Sequence, residues 1–201
     1  IEVDEEDFDF QMDVNVYGPY RVTKAFAPLI IESNGRITTT GSISGILSGT
    51  LFGPYSMSKH AMEAFTYSLA SENERFGVHV SVIEPGNYES DIGKNIARRM
   101  KARGLSSDGS LYKEELDRMV GRINSDEPLG GDPNEVAEAA LHALFDDNPK
   151  RRYMVVPNEQ QAEVTVRKAM EEMVQLNQDQ KYSYDREELI RMLDELMAAN
   201  P

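Results

Sequence analysis

The 201-residue chain is long enough for one domain with a real core, and its 40% hydrophobic and 28% charged residues are an ordinary globular balance. Its 35 acidic against 21 basic residues give a formal net charge of −14, a surface that repels phosphate backbones and argues against nucleic acid as a partner. Cysteine is absent, which excludes disulfides and thiolate metal sites, and no apolar run approaches the roughly 20 residues of a membrane span.

The sequence opens on Ile1 and an acidic run, Asp4 to Asp7, with no charged-then-apolar leader, so a cytoplasmic chain with no metal centre is expected. Phe8, Met12, Val16 and Tyr20 recur near four-residue spacing and predict a helix over 5–32, interrupted by Pro19 and Pro28. "NGRITTTG" (34–41) reads as a turn and a short β-branched strand, followed by a Gly-rich loop to Pro54. A helix is expected from about 55 to 76, with Met62, Phe65 and Leu69 on its apolar stripe. "GVHVSVIEPG" (77–86) reads as a buried strand ending at Pro-Gly.

Residues 90–130 are polar and partly helical. Asp132 then caps a helix with Pro133 at its first position and Glu135 at its third, and that helix is expected to bury Val136, Ala140, Leu141 and Leu144. "RRYMVVP" (151–157) is a third strand, and two amphipathic helices close the chain, the last opened by the capping pair Asp185 and Glu188. Helices alternating with strands predict an α/β fold with a parallel sheet.

Tyr55 and Lys59 stand four apart on a predicted helix, so both side chains emerge on one face. A phenol ionises near pH 10, and a lysine cation within about 4–6 Å stabilises the phenolate. A drop of about three pH units needs roughly 4 kcal/mol of preference for the anion, and yields a tyrosine able to exchange protons with an alcohol or carbonyl. Spacing alone decides nothing, since Tyr20 and Lys24 share it. Context separates them: thirteen residues before Tyr55 stands Ser42, just past the first strand, whereas thirteen before Tyr20 stands Asp7, inside a helix. Ligands of open parallel sheets bind at the carboxyl ends of the strands, where Ser42, Pro85-Gly86 and the start of the 55–76 helix should converge.

Four motifs in this order resemble those of the short-chain dehydrogenases/reductases: "DVNVYG" (13–18), "TGSISG" (40–45), "YSMSK" (55–59) and "PGNYES" (85–90). The resemblance implies a Rossmann-like doubly wound parallel sheet and an NAD(P)-dependent oxidoreductase acting on an alcohol or ketone. It implies Asn15, Ser42, Tyr55 and Lys59 as catalytic residues: Tyr55 exchanging the proton, Lys59 lowering its pKa and holding the nicotinamide ribose, Ser42 binding the substrate oxygen, and Asn15 holding a water. Tyr55, Lys59, Pro85, Gly86, Tyr88 and Ser90 would border the cofactor, NAD or NADP, with Ser90 where the family usually has Thr. Pro19 independently supports Asn15, because proline has no N–H to offer the Asn15 carbonyl four residues back. A simple helix kink is the bland alternative.

The family's Gly-rich dinucleotide turn does not occur before residue 35, so the expectation is a single domain, 1–201, forming the carboxyl-terminal two-thirds of such a fold. A flap is expected at about 90–130 and C-terminal helices at about 158–200. A homodimer or homotetramer through helices 5–32 and 55–76 is implied. The alternative is a catalytically inactive fragment keeping only the fold and those helices; the family's epimerase or dehydratase branch is a third reading, against which "PGNYES" and the short flap argue. A hydrolase reading of "GSISG" fails because Ile43, not Ser, holds the central position. The basic run 94–103, with Lys94, Arg98, Arg99, Lys101 and Arg103 and no acid, is either a solvated helix face or a receiver for an anionic substrate.

Overall fold

The computed structural model describes residues 1–125 and 130–199. Of the expected flap, residues 126–129 lie outside the described residues, as does residue 200 at the end of the expected C-terminal helices. The elements are helices α1 (Glu5–Met12), α2 (Gly18–Glu32), strand β1 (Arg36–Thr40), helix α3 (Gly53–Asn73), strand β2 (His79–Pro85), helices α4 (Ile92–Ala102), α5 (Lys113–Ile123) and α6 (Asn134–Phe145), strand β3 (Arg152–Val155), and helices α7 (Glu159–Asn177) and α8 (Arg186–Ala199). The chain divides into two compact units, Ile1–Ala162 and Glu163–Pro201, where the sequence pattern suggested one domain.

In the first unit β1, β2 and β3 form a parallel sheet in that order, with Thr39 opposite Val82 and Ile83 opposite Tyr153. Strand alternation sorts β2 between two helical layers. Val80 packs with Ala70 of α3, beside Ile30, Ile31 and Leu69. Ile83 packs with Ala143 of α6 and Tyr153. The central strand is therefore buried on both faces, as parallel sheets require.

The long N-terminal helix forms as expected but is not uniform: one π-helical turn, Asp13–Tyr17, separates α1 from α2, and the Gly18 N–H donates to the Asp13 carbonyl five residues back. Pro19 lies just beyond, so the disturbance falls where the missing N–H breaks the regular ladder. Phe8, Met12 and Val16 are half-buried, while Tyr20 is exposed.

Two details of α6 differ from expectation. Its buried face is Val136, Ala139, Ala140 and Ala143, leaving Leu141 59% and Leu144 37% exposed. Small side chains let this helix approach Ile83 and Tyr153 closely, so the alanines, not the leucines, meet the sheet. The capping pair is also not formed: Asp132 accepts from the Asn134 N–H at 3.0 Å, but the Glu135 carboxylate is taken by the Tyr88 hydroxyl. The capping box of α8 forms as expected, with Asp185 N–H to Glu188 and Glu188 N–H to Asp185, each 2.9 Å. Within the second unit, Asn177 exchanges two 2.8 Å bonds with the Tyr184 backbone and ties the α7–α8 connection. Among the described residues, no helix is long and apolar enough to cross a membrane.

Candidate active site

Ser42 follows β1 in extended backbone and caps one 3₁₀ turn, Ile43–Gly45, by accepting from the Ser44 N–H at 3.1 Å. Its side chain is buried, and its hydroxyl donates to the Pro85 carbonyl at 3.4 Å, which links the end of β1 to the end of β2. α3 begins with Pro54 in its first turn, where a missing N–H costs nothing, and this sets Tyr55 and Lys59 one turn apart at the same end of the sheet.

Lys59 donates from Nζ to the Thr40 carbonyl, the last of β1, at 3.0 Å, and Nζ lies 5.7 Å from the centre of the Tyr55 ring. Burial pushes the Lys59 ammonium below the usual lysine range, and the carboxylate of Glu63 opposes that shift. Among the described residues the Tyr55 hydroxyl has no hydrogen-bond partner, and the ring is half-buried. Asn15, inside the π turn, donates from Nδ2 to Ser58 Oγ at 2.9 Å, and Ser58 donates to the Tyr55 carbonyl at 2.7 Å. The distorted turn thus seats Asn15 against the first turns of α3. Ser58, fully buried inside "YSMSK", was not singled out from the sequence; its place between Tyr55 and Lys59 was the available signal.

The segment after β2 is held from three sides. Gly86 donates to the Val155 carbonyl at 2.7 Å, Asn87 N–H donates to Gln161 Oε1 at 2.8 Å, and Tyr88 pairs with Gly131 as a parallel bridge. A Cβ on Gly86 would stand 2.3 Å from Gln161 Oε1 and 3.1 Å from Val156 Cγ1, so a side chain here would have to displace the Gln161 amide. The Tyr88 hydroxyl turns to Glu135 on α6, and burial followed by that carboxylate holds its pKa well above the ordinary tyrosine range. Ser90 Oγ accepts from the Ile92 N–H at 3.4 Å, at the start of α4. The structure thus gathers Asn15, Ser42, Tyr55, Lys59 and the 85–90 segment along one rim, with the Tyr88 hydroxyl committed to α6.

The second tyrosine–lysine pair has a different setting. Lys24 reaches the Tyr20 hydroxyl at 3.5 Å in an open groove of about 640 Å³ that also takes in Phe65, Leu69 and Phe76. Leu69 is fourteen residues along α3 from Tyr55, about 21 Å at 1.5 Å per residue. Among the described residues, no strand end supplies a serine there.

The basic run is divided: Lys94, Arg98 and Lys101 are exposed, as a solvated face requires, whereas Arg99 and Arg103 are turned to carboxylates of the same chain. Arg99 pairs with Asp7 at 2.7 Å and lies 3.9 Å over the Phe10 ring, and Arg103 meets Asp7 at 2.6 Å, Asp4 at 2.9 Å and Glu6 at 3.2 Å. The acidic start of the chain is the partner of these two arginines, latching the end of α4 onto α1. Glu2 adds bonds to the Ser110 hydroxyl and the Leu111 N–H.

The profile of the short chain dehydrogenase family matches residues 1–101 of this chain. A 3beta-hydroxysteroid dehydrogenase of Caenorhabditis elegans is 32% identical over 74% of this chain and 40% of its own length. The mitochondrial D-beta-hydroxybutyrate dehydrogenase of Bos taurus is 34% identical over 70% of this chain and 44% of its own. The chain spans less than half the length of these relatives. Among solved structures, a short-chain dehydrogenase from Streptomyces avermitilis superposes with a TM-score of 0.66 at 22% identity, covering 87% of this chain and 61% of that one. A short chain dehydrogenase/reductase from Burkholderia phymatum, solved with NAD, gives 0.62 at 22% identity over 92% and 64%. Another from Burkholderia cenocepacia, solved with NADP, gives 0.61 at 18% over 85% and 58%. These superpositions carry the fold, a Rossmann-like parallel sheet between helices, and the match over residues 1–101 spans all four motifs; the chain belongs to the short-chain dehydrogenase family.

Proposed function

We propose that this chain carries the catalytic rim of an NAD(P)-dependent oxidoreductase that interconverts an alcohol and a ketone, with Tyr55 as the general acid and base. The observation that carries the reading is Lys59: it is anchored on the last carbonyl of β1 while its ammonium flanks the Tyr55 ring. An ammonium has three donors and Thr40 takes one, which leaves two that suit the vicinal hydroxyls of a ribose. The unpartnered Tyr55 hydroxyl and the chain segment 85–90 complete a rim that fits a nicotinamide nucleoside. Relatives of this fold solved with NAD or NADP support the same cofactor class.

In this reading a bound nicotinamide dinucleotide supplies or accepts the hydride. Tyr55 gives its phenolic proton to the carbonyl oxygen in reduction and takes it back in oxidation. Ser42 turns its hydroxyl from Pro85 to the substrate oxygen as charge develops there. Lys59 stabilises the phenolate left on Tyr55. Asn15 holds Ser58 against the Tyr55 carbonyl, and a water on its own carbonyl would connect Lys59 to solvent. Pro85, Gly86, Tyr88 and Ser90 border the nicotinamide face, and the helices 5–32 and 55–76 form the contact of a homodimer or homotetramer.

The test is oxidation of NADH or NADPH by this chain with a panel of ketones, alongside Tyr55→Phe. Removing the phenolic proton should lower turnover by about 10²- to 10⁴-fold while cofactor binding persists. Undiminished turnover in the phenylalanine variant would refute the assignment.

A further inference from the structure

Directly behind the rim lies the densest buried charge of the described residues. Glu84, one residue before Pro85 and fully buried, faces α3 from β2. Arg152 of β3 reaches it twice, Nε to Oε2 at 2.6 Å and Nη2 to Oε1 at 3.0 Å, and the same Nη2 contacts Glu63 of α3. Two carboxyls therefore share one guanidinium, and one oxygen of each, Glu63 Oε1 and Glu84 Oε2, stays buried with no hydrogen-bond partner among the described residues, the Nε contact to Oε2 being an ion pair only.

Glu63 also abuts the loop that carries Ser42. A Cβ on Gly41 would stand 2.9 Å from Glu63 Oε1, and one on Gly45 would stand 2.9 Å from Glu63 Cγ and 3.2 Å from the Lys59 carbonyl. Gly45 thus leaves the space that the Glu63 side chain fills, and Gly41 leaves space that Glu63 shares with Val82, whose Cγ2 would stand 2.8 Å from such a Cβ. Lys59 is one helical turn before Glu63 on the same helix, within range of its charge.

We propose that Glu63 is a positioning residue of the Tyr55–Lys59 site: clamped by Arg152 beside Glu84, it seats the Ser42 loop against α3 and supports the positive charge of Lys59. The inference rests on the oxidoreductase reading for its catalytic meaning. A neutral Lys59 could not stabilise a Tyr55 phenolate, and burial alone drives it toward neutrality. The charged and titratable groups facing Glu63 are Lys59, His60 and Tyr67 on α3, Glu84 on β2 and Arg152 on β3. On β1 the one charged residue, Arg36, bonds the Ala143 carbonyl instead.

The experiment follows the Cε resonance of Lys59 by NMR in chain labelled with ¹³C-lysine, assigned by its loss in Lys59→Ala. In Glu63→Gln the Lys59 titration should move to lower pH; in Glu84→Gln, where Glu63 keeps its charge, it should stay at or above the wild-type value. An unmoved Lys59 titration in folded Glu63→Gln overturns the proposal, because a merely structural glutamate would leave it in place. Should Glu63→Gln not fold, the wild-type curve decides: a second step near pH 7, lost in Glu84→Gln, is expected, and a single-step curve refutes it. NADH binding measured on the same samples separates the two claims. Its absence with the Lys59 shift present would sink the enzyme reading and leave this contact standing.

Discussion

Glu84→Gln gives a prediction whose size follows from the site. Glu84 is fully buried, and burial first, then the charge of Glu63, push its carboxyl up to about 7 against the opposing pull of Arg152. In the unfolded chain the same group ionises near 4.5. Between those values the folded protein keeps a proton that the unfolded chain has lost. The resulting stabilisation is full below about pH 4.5, falls as pH rises, and is gone above about pH 7. A gap of roughly two and a half pH units at about 1.4 kcal/mol each makes the loss about 3 kcal/mol, held by the Glu63–Glu84 pair rather than by one carboxyl. Glutamine has the same shape and no proton to lose, so the variant should gain about 3 kcal/mol relative to wild type between about pH 4.5 and 8. Urea unfolding followed by far-UV circular dichroism at both ends of that range measures it. A stability difference that does not change with pH would refute the retained-proton account.

Two further outcomes test the surroundings of the rim. Asp7→Asn should open the α4 latch, since Asp7 meets both Arg99 and Arg103, and limited proteolysis of 104–111 should accelerate at low salt and converge with wild type at high salt. Acid should do the same to wild type: the Asp7 N–H and the Arg103 guanidinium hold Asp4 below the usual carboxylate range, so the latch persists above that range and fails as pH drops through the lowered value. Gly130→Ala should destabilise the chain by about 1–3 kcal/mol in thermal or urea unfolding, because a Cβ there would stand 2.3 Å from the Asn87 carbonyl oxygen, which is backbone and cannot swing away.

What was legible in the sequence was local or repeated along the chain. Strand and helix periods placed β1, β2, β3 and α3 within a few residues, and the reciprocal pair Asp185–Glu188 marked α8, since each of those signals spans a few residues. Ser42, Tyr55 and Lys59 were legible because strand ends and a helix start converge on one side of any parallel sheet. Contacts between distant segments were not. Arg103 finds Asp4 across 99 residues, and Arg152 finds Glu84 across 68, and neither charge pattern names its partner. Glu84 did carry a signal: a lone acid in the apolar run "VSVIEP" must either face solvent or be paired. Leu141 and Leu144 misled because hydrophobicity alone does not say which face of a helix comes closest to a sheet. Alanines at 139, 140 and 143 did so here. Glu135 looked like a cap until Tyr88 arrived from the other end of the rim.

The central claim is that the rim of Tyr55, Lys59 and segment 85–90 receives a nicotinamide nucleotide, and a fluorescence titration of NADH and NADPH against this chain tests it most directly. The account predicts saturable binding of one or both, weakened by Lys59→Ala, whose ammonium would hold the ribose hydroxyls, and retained by Tyr55→Phe. Absence of saturable binding in a chain shown by circular dichroism to be folded, or equal binding by Lys59→Ala, would contradict it.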